Sequence, residues 1–198
     1  TKPEGYDNYI YYENGTLTIV GEIEATVYTH EVDSSIKATL AVFSGKLTVV
    51  GDGRISLRGE TIPALLVAYN AAIDFNMTPN DLKDHLIDEQ IWIYSWDAMA
   101  VWGDVTISNA AKVLIETKHG YGTVLEESYN TISGNAVING GHVTLSNETN
   151  GACVKGNLNV TADGLTIRSQ ENDVATLTGG NYDIATDSMS IENRCGAA

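Results

Sequence analysis

The chain has two cysteines, three prolines, three methionines and two phenylalanines in 198 residues. Two cysteines cannot staple a small scaffold, and Cys153 and Cys195 have no metal-ligand spacing, so disulfide-rich and zinc-ribbon classes are excluded. Whether the two form a bridge or stay free thiols is left open. No stretch approaches the ~18 continuous apolar residues that span a bilayer, so no membrane insertion is expected. Basic residues are scarce as well: 11 Lys and Arg against 26 Asp and Glu give a net charge of −15. Such a surface repels nucleic acid and anionic membranes, and neither is expected as a partner. It suits a soluble extracellular protein and leaves room for cations. Helical periodicity is confined to one segment, so the class is all-β.

What is present is a repeated phrase. Gly134-Asn135-Ala136-Val137-Ile138 returns as Gly156-Asn157-Leu158-Asn159-Val160 and as Gly180-Asn181-Tyr182-Asp183-Ile184. Looser copies stand at Gly103-Asp104-Val105-Thr106-Ile107 and Gly45-Lys46-Leu47-Thr48-Val49. From Gly134 to Gly156 is 22 residues, from Gly156 to Gly180 is 24, from Gly103 to Gly134 is 31, and from Gly45 to Gly103 is 58, two periods of 29. A second short alternating strand follows each copy. Repeats of this length, separated by Gly, Asn and Asp, describe a solenoid of stacked β coils.

Taken in order, residues 1–15 form an N-terminal hairpin and cap, because Asn14-Gly15 between alternating segments signals a tight turn. Coils are expected over 16–44, 45–70, 71–102, 103–133, 134–155, 156–179 and from 180 onward. The third is interrupted over 76–90. There Thr78-Pro79-Asn80-Asp81 reads as an N-cap, a Pro at the first helical position and acid in the first turn. Leu82, Leu86 and Ile87 follow at helical spacing, which predicts a short helix over 79–89. The chain opens at Thr1 without a leader and its last coil is short, so a trimmed targeting signal and further domains in the natural chain are expected.

Side chains alternate across a strand. The recurrent aliphatics Ile55/Leu57, Ile91/Ile93, Val113/Ile115, Val143/Leu145, Leu165/Ile167 and Met189/Ile191 must then face inward. Two outward columns result: Ser56, Trp92, Leu114, Thr144, Thr166, Ser190, and Arg58, Tyr94, Glu116, Ser146, Arg168, Glu192. Trp92, Tyr94 and Trp96 therefore share one outward face, and Trp102 points outward from another strand. Flat aromatics in a row stack on sugar rings, and Asp74 or Asp97 could accept hydroxyl hydrogen bonds. The alternative is that Trp92 and Tyr94 are the surface that Leu82, Leu86 and Ile87 cover.

Catalysis finds less support. Asp74, Asp104 and Asp183 fall in different coils and pick out no acid/base pair. His30, His85, His119 and His142 show no nucleophile or metal-triad spacing. Calcium has oxygen-bearing turns at Glu171-Asn172-Asp173, Asp183/Asp187 and Asp52, but no loop motif. Asn135, Asn157 and Asn181 recur at one point of successive coils and read as a structural stack. Four Asn-X-Thr matches, beginning at Asn14, Asn76, Asn147 and Asn159, arise from composition.

The cadence Gly156-Asn157-Leu158-Asn159-Val160 … Gly164-Leu165-Thr166-Ile167, with relatives across about 16–192, resembles right-handed parallel β-helices of the pectate-lyase-like type. It is most similar to carbohydrate-binding modules of bacterial surface proteins. That resemblance implies a secreted or cell-surface, non-catalytic protein that binds acidic plant polysaccharide with calcium. The pectate lyases themselves pair an acidic calcium cluster with an Arg base; Arg54, Arg58, Arg168 and Arg194 show no such partnership. The expectation is a single-domain, single-stranded right-handed parallel β-helix of six to seven coils that binds polysaccharide, with Trp92, Tyr94, Trp96, Trp102, Asp74 and Asp97 as candidate contacts. A structural or adhesive spacer is the alternative, and a polysaccharide lyase or hydrolase the third reading.

Overall fold

The structure, a computed structural model, describes residues 5–21, 24–28, 37–80, 89–119, 129–169 and 176–193. Its strands in the first third are β1 (Tyr9–Glu13), β2 (Thr16–Val20), β3 (Glu24–Tyr28), β4 (Leu40–Val42), β5 (Gly45–Gly51) and β6 (Arg54–Gly59). Next come β7 (Leu65–Val67), β8 (Ala71–Met77), β9 (Ile91–Trp96), β10 (Val101–Trp102), β11 (Val105–Asn109) and β12 (Lys112–Lys118). The last are β13 (Ile132–Ser133), β14 (Ala136–Asn147), β15 (Val154–Lys155), β16 (Leu158–Ser169), β17 (Leu177–Thr178) and β18 (Tyr182–Asn193). The expected helix over 79–89 falls largely on residues outside the described ones.

These strands form two sheets. The larger has twelve strands in the order β1-β2-β5-β8-β11-β14-β12-β9-β6-β3, with β16 on β14 and β18 on β16. The smaller has six, β17-β15-β13-β10-β7-β4, and is parallel throughout. The all-β class therefore stands, but the single-stranded right-handed parallel β-helix of six to seven coils is corrected. The body is a curled, mixed twelve-stranded sheet with a separate parallel sheet. Two features account for the difference. The β1–β2 hairpin is antiparallel, which makes the large sheet mixed. And β14, β16 and β18 each run twelve residues through positions where a break between the two short strands of a coil was expected. At that bend Gly141 N–H donates to Ala110 O at 3.0 Å and His142 N–H to Ala111 O at 2.9 Å, so the ladder continues and joins both flanks into one sheet.

The hairpin follows from its turn. Asn14 and Gly15 hold φ of 50° and 78°, the two positive values that match a tight turn to strand twist. The core lies between the sheets. Ile55, Leu57, Ile91, Ile93, Val113, Ile115, Val143, Leu145, Leu165 and Ile167 are all buried there, as alternation requires. Met189 and Ile191 hold the matching places on β18, yet are 45% and 57% exposed.

The repeated Gly-Asn phrase has a steric cause. A Cβ on Gly134, Gly156 or Gly180 would lie 2.3, 2.2 and 2.2 Å from the carbonyl oxygen of Gly103, Gly134 and Gly156 respectively. Backbone stacks directly on backbone there, and no side chain fits. The neighbouring position closes the stack by hydrogen bonds. Asp104 Oδ1 accepts from Asn135 N–H at 2.8 Å, Asn135 Oδ1 from Asn157 N–H at 3.0 Å, and Asn157 Oδ1 from Asn181 N–H at 2.9 Å. The structural role expected of these asparagines is the one they fill.

A second polar line went unnoticed in the sequence. Ser95, Thr117, Asn147 and Ser169 pair in register and are buried. Ser95 Oγ donates to Ile62 O at 2.9 Å, and Asn147 Nδ2 donates to Tyr129 O and Ala152 O at 2.8 and 3.0 Å. Buried polar groups are stable when partnered, and Ser95, Thr117 and Asn147 tie the large sheet to the turns feeding the small one, whereas the Ser169 hydroxyl has no hydrogen-bond partner among the described residues. Cys153 sits nearby as a free, buried thiol, 3.0 Å from Arg168 O. Burial pushes that thiol up to about 12. Cys195 lies outside the described residues.

Candidate functional site

The outward columns read from the sequence match the observed pairing. Ser56, Trp92, Leu114, Thr144, Thr166 and Ser190 stand opposite one another in turn, as do Arg58, Tyr94, Glu116, Ser146, Arg168 and Glu192. Trp92, Tyr94 and Trp96 thus share the outer face of β9. They do not form an open row. Trp92 stacks on Tyr94 with ring centroids 4.5 Å apart and planes at 29°, and Tyr94 meets Trp96 at 6.1 Å. The Arg58 guanidinium lies 4.8 Å from the Trp92 centroid, and Lys118 Nζ lies 5.6 Å from that of Tyr94.

Hydrogen bonds fix this arrangement. Trp92 Nε1–H donates to Glu116 Oε1 at 2.9 Å, and Lys118 Nζ meets the same oxygen at 3.0 Å. Tyr94 is consequently buried, Trp92 half-buried and only Trp96 exposed. The ring stack is worth about 0.5–1.5 kcal/mol and each cation over a ring about 0.5–1 kcal/mol. A sugar competing for these rings would forfeit much of that. The helical residues expected to cover them, Leu82, Leu86 and Ile87, lie outside the described residues.

The two candidate carboxylates are engaged elsewhere. Asp74, on β8 of the other flank, accepts from Ser108 Oγ at 2.6 Å and pairs with Lys46 Nζ at 3.1 Å. Asp97 follows β9 in the left-handed region at φ 53° and stands 3.6 Å from His119 Nδ1. The predicted contacts therefore separate into three places, with only Trp96 and Asp97 adjacent to the β9 stack.

Trp102 is different. It lies on the outer face of the small sheet, between Leu66 and Ser133, and is 54% exposed. Its indole lines an open groove of about 480 Å³ with Leu66, Ala68, Tyr69, Asp104 and Ser133. Tyr69 in that groove is wholly exposed. Tyr69 was not among the candidate contacts read from the sequence. A signal was present: Tyr69 stands two residues before Ala71, whose β8 position pairs with Gly45, and Trp102 stands one before Gly103. Phe43, 61% exposed, stands two before Gly45 and lines a second groove of about 410 Å³ with Tyr12, Leu40, Ala41 and Lys46.

Among the described residues, no group of three or more His, Cys, Asp or Glu side chains is placed to hold a metal ion. Of the calcium candidates, Asp52 Oδ1 accepts from Gly21 N–H at 2.7 Å, Asp183 and Asp187 lie exposed on β18, and 171–173 fall outside the described residues. No described helix is long and apolar enough to cross a membrane. No family model, curated protein or solved structure matches the chain. Nothing among these comparisons identifies a pectate-lyase-like β-helix.

Proposed function

We propose that this is a non-catalytic polysaccharide-binding protein of secreted or cell-surface type, and that sugar rings stack on Trp102. One observation carries the reading: a half-exposed indole on a parallel sheet, lining an open groove beside the fully exposed Tyr69. Exposed aromatics grouped in one groove, rather than single ones, mark binding surfaces, and pyranose rings present the flat C–H face that suits an indole. Asp104 and Ser133 lie at the groove wall to bind hydroxyls. Acid/base hydrolysis uses two carboxylates across the scissile bond, whereas the described lining offers Asp104 alone.

The test is a titration of the intact protein with soluble xyloglucan, galactomannan and mixed-linkage glucan, with calcium and with a chelator, read by calorimetry. Binding by at least one polysaccharide, abolished in Trp102→Ala and retained in Trp96→Ala, is expected. Binding that survives Trp102→Ala, or no binding to any glycan, would overturn the reading. The spacer alternative draws its support from the packing of Trp92 and Tyr94, and the second of those outcomes would favour it.

A further inference from the structure

We infer, resting on the glycan-binding reading, that the ligand is a neutral linear polysaccharide lying across the strands of the small sheet, in both grooves at once. Three exposed aromatics carry this. Phe43, Tyr69 and Trp102 follow or end the neighbouring strands β4, β7 and β10, and all stand where the chain leaves the small sheet for the large one. Ala41, Leu66 and Trp102 pair in register, so Phe43 and Tyr69 lie two and three residues past the level of Trp102; each also stands two residues before Gly45 and Ala71, which pair in turn, so these two rings share the corner beside Trp102. Neighbouring strands lie ~4.8 Å apart, which places the Phe43 and Trp102 strand ends ~10 Å from each other. A β-1,4-linked pyranose chain advances by nearly one strand spacing per sugar. One such chain crossing β10, β7 and β4 therefore passes the corner that carries the three aromatics, and Tyr12, 63% exposed in the second groove, extends that surface.

The other direction is closed to stacking. Beyond Trp102 the same outward line continues as Ser133, Lys155 and Thr178, which offer no flat face. The footprint is thus bounded at β10. Charge selects within the class of linear glycans. The protein carries a net −15, Asp104 lines one groove, and Lys46 at the other is already paired with Asp74. Polyuronates would meet repulsion from the net charge and from Asp104, while neutral chains meet none. This departs from the acidic polysaccharide that the family resemblance implies.

The experiment measures affinity of the intact protein for cello- and xylo-oligosaccharides of two to six sugars, and for oligogalacturonides of the same lengths. Affinity should climb with chain length and level off at four to six sugars. Phe43→Ala should weaken the hexasaccharide by about tenfold while leaving the disaccharide unchanged, whereas Trp102→Ala weakens both. Both side chains are exposed, so neither variant should disturb folding, and an unchanged urea midpoint checks this. Oligogalacturonides should bind at least about tenfold more weakly, with the gap narrowing as salt is raised. A disaccharide that binds as tightly as the hexasaccharide, or indifference of the hexasaccharide to Phe43→Ala, overturns the lengthwise placement while glycan binding at Trp102 stands. Preference for oligogalacturonide overturns the neutral class. Failure of every glycan overturns the underlying reading itself.

Discussion

The glycine stack makes a prediction that separates backbone strain from collision. Gly45 holds φ +72°, but a Cβ there would meet nothing within 4 Å. Gly45→Ala should therefore cost only the left-handed conformation, about 1 kcal/mol. Gly180 is the converse: a Cβ would lie 2.2 Å from Gly156 O and 2.3 Å from its carbonyl carbon. The obstacle is backbone held by the ladder, which cannot swing aside like a side-chain tip, so Gly180→Ala should cost about 1–3 kcal/mol as overpacking. Gly156 combines φ +147° with a 2.2 Å approach to Gly134 O. Its alanine variant should bear both costs, about 2–4 kcal/mol. Urea unfolding of the three variants, with the m-value checked for constancy, gives the order Gly45 < Gly180 < Gly156 in lost stability. If Gly180→Ala falls within about 0.5 kcal/mol of the parent, the stack is looser than its geometry implies and the steric account of the repeat fails.

Three further outcomes follow from buried partners. The Cys153 thiol is held near 12 against an ordinary 9.0, so its neutral form is favoured in the fold; its contribution is complete below pH 9 and lost as pH rises toward 12. Cys153→Ala should lose less stability than the parent across that window, and native Cys153 should resist thiol reagents at pH 8 until urea opens the fold. Glu116→Ala strips Trp92 Nε1 of its acceptor and Lys118 of its partner. It should cost about 1–3 kcal/mol, and Glu116→Gln, which keeps an acceptor, should cost less; equal losses by urea unfolding would place the effect in the ion pair. Gln90 is buried and donates to Thr78 O at 2.7 Å while accepting from Ala111 N–H at 2.8 Å. Gln90→Leu orphans both backbone groups and should lower stability by about 2 kcal/mol or more, and a urea midpoint near the parent's would refute the clamp.

Register was legible because alternation is unforgiving: a one-residue slip would turn every aliphatic of β6, β9, β12, β14 and β16 outward. The hairpin was legible too, since Asn14-Gly15 supplies both positive φ values its turn needs. What stayed hidden was how the strands join. Gly140-Gly141 and Ala162-Asp163-Gly164 carry turn composition and invite a break. Yet the bend keeps its ladder bonds and the strand passes through it. Composition reports that a chain can turn, not whether its N–H groups stay paired while it does.

The same distinction decides the site. Alternation correctly placed Trp92, Tyr94 and Trp96 on the outer face of β9, but facing outward is a matter of register, whereas being open depends on what the adjacent strands bring. Arg58 from β6 and Glu116 and Lys118 from β12, all distant in sequence, converge on that face and occupy it. Phe43, Tyr69 and Trp102 have the opposite history. They are scattered in the sequence, where only Trp102 stood out as a candidate, yet each stands two or three residues before the strand with which the large sheet resumes, and parallel pairing brings those strands into line. Trp102 is flanked by Leu66 and Ser133, neither of which brings a charge over the ring as Arg58 and Lys118 do at β9. In a protein built from in-register repeats, an aromatic is left available for binding when the positions flanking it on the next strands bring no charged partner to it. Aligning the repeats exposes that condition, and reading along a single strand does not.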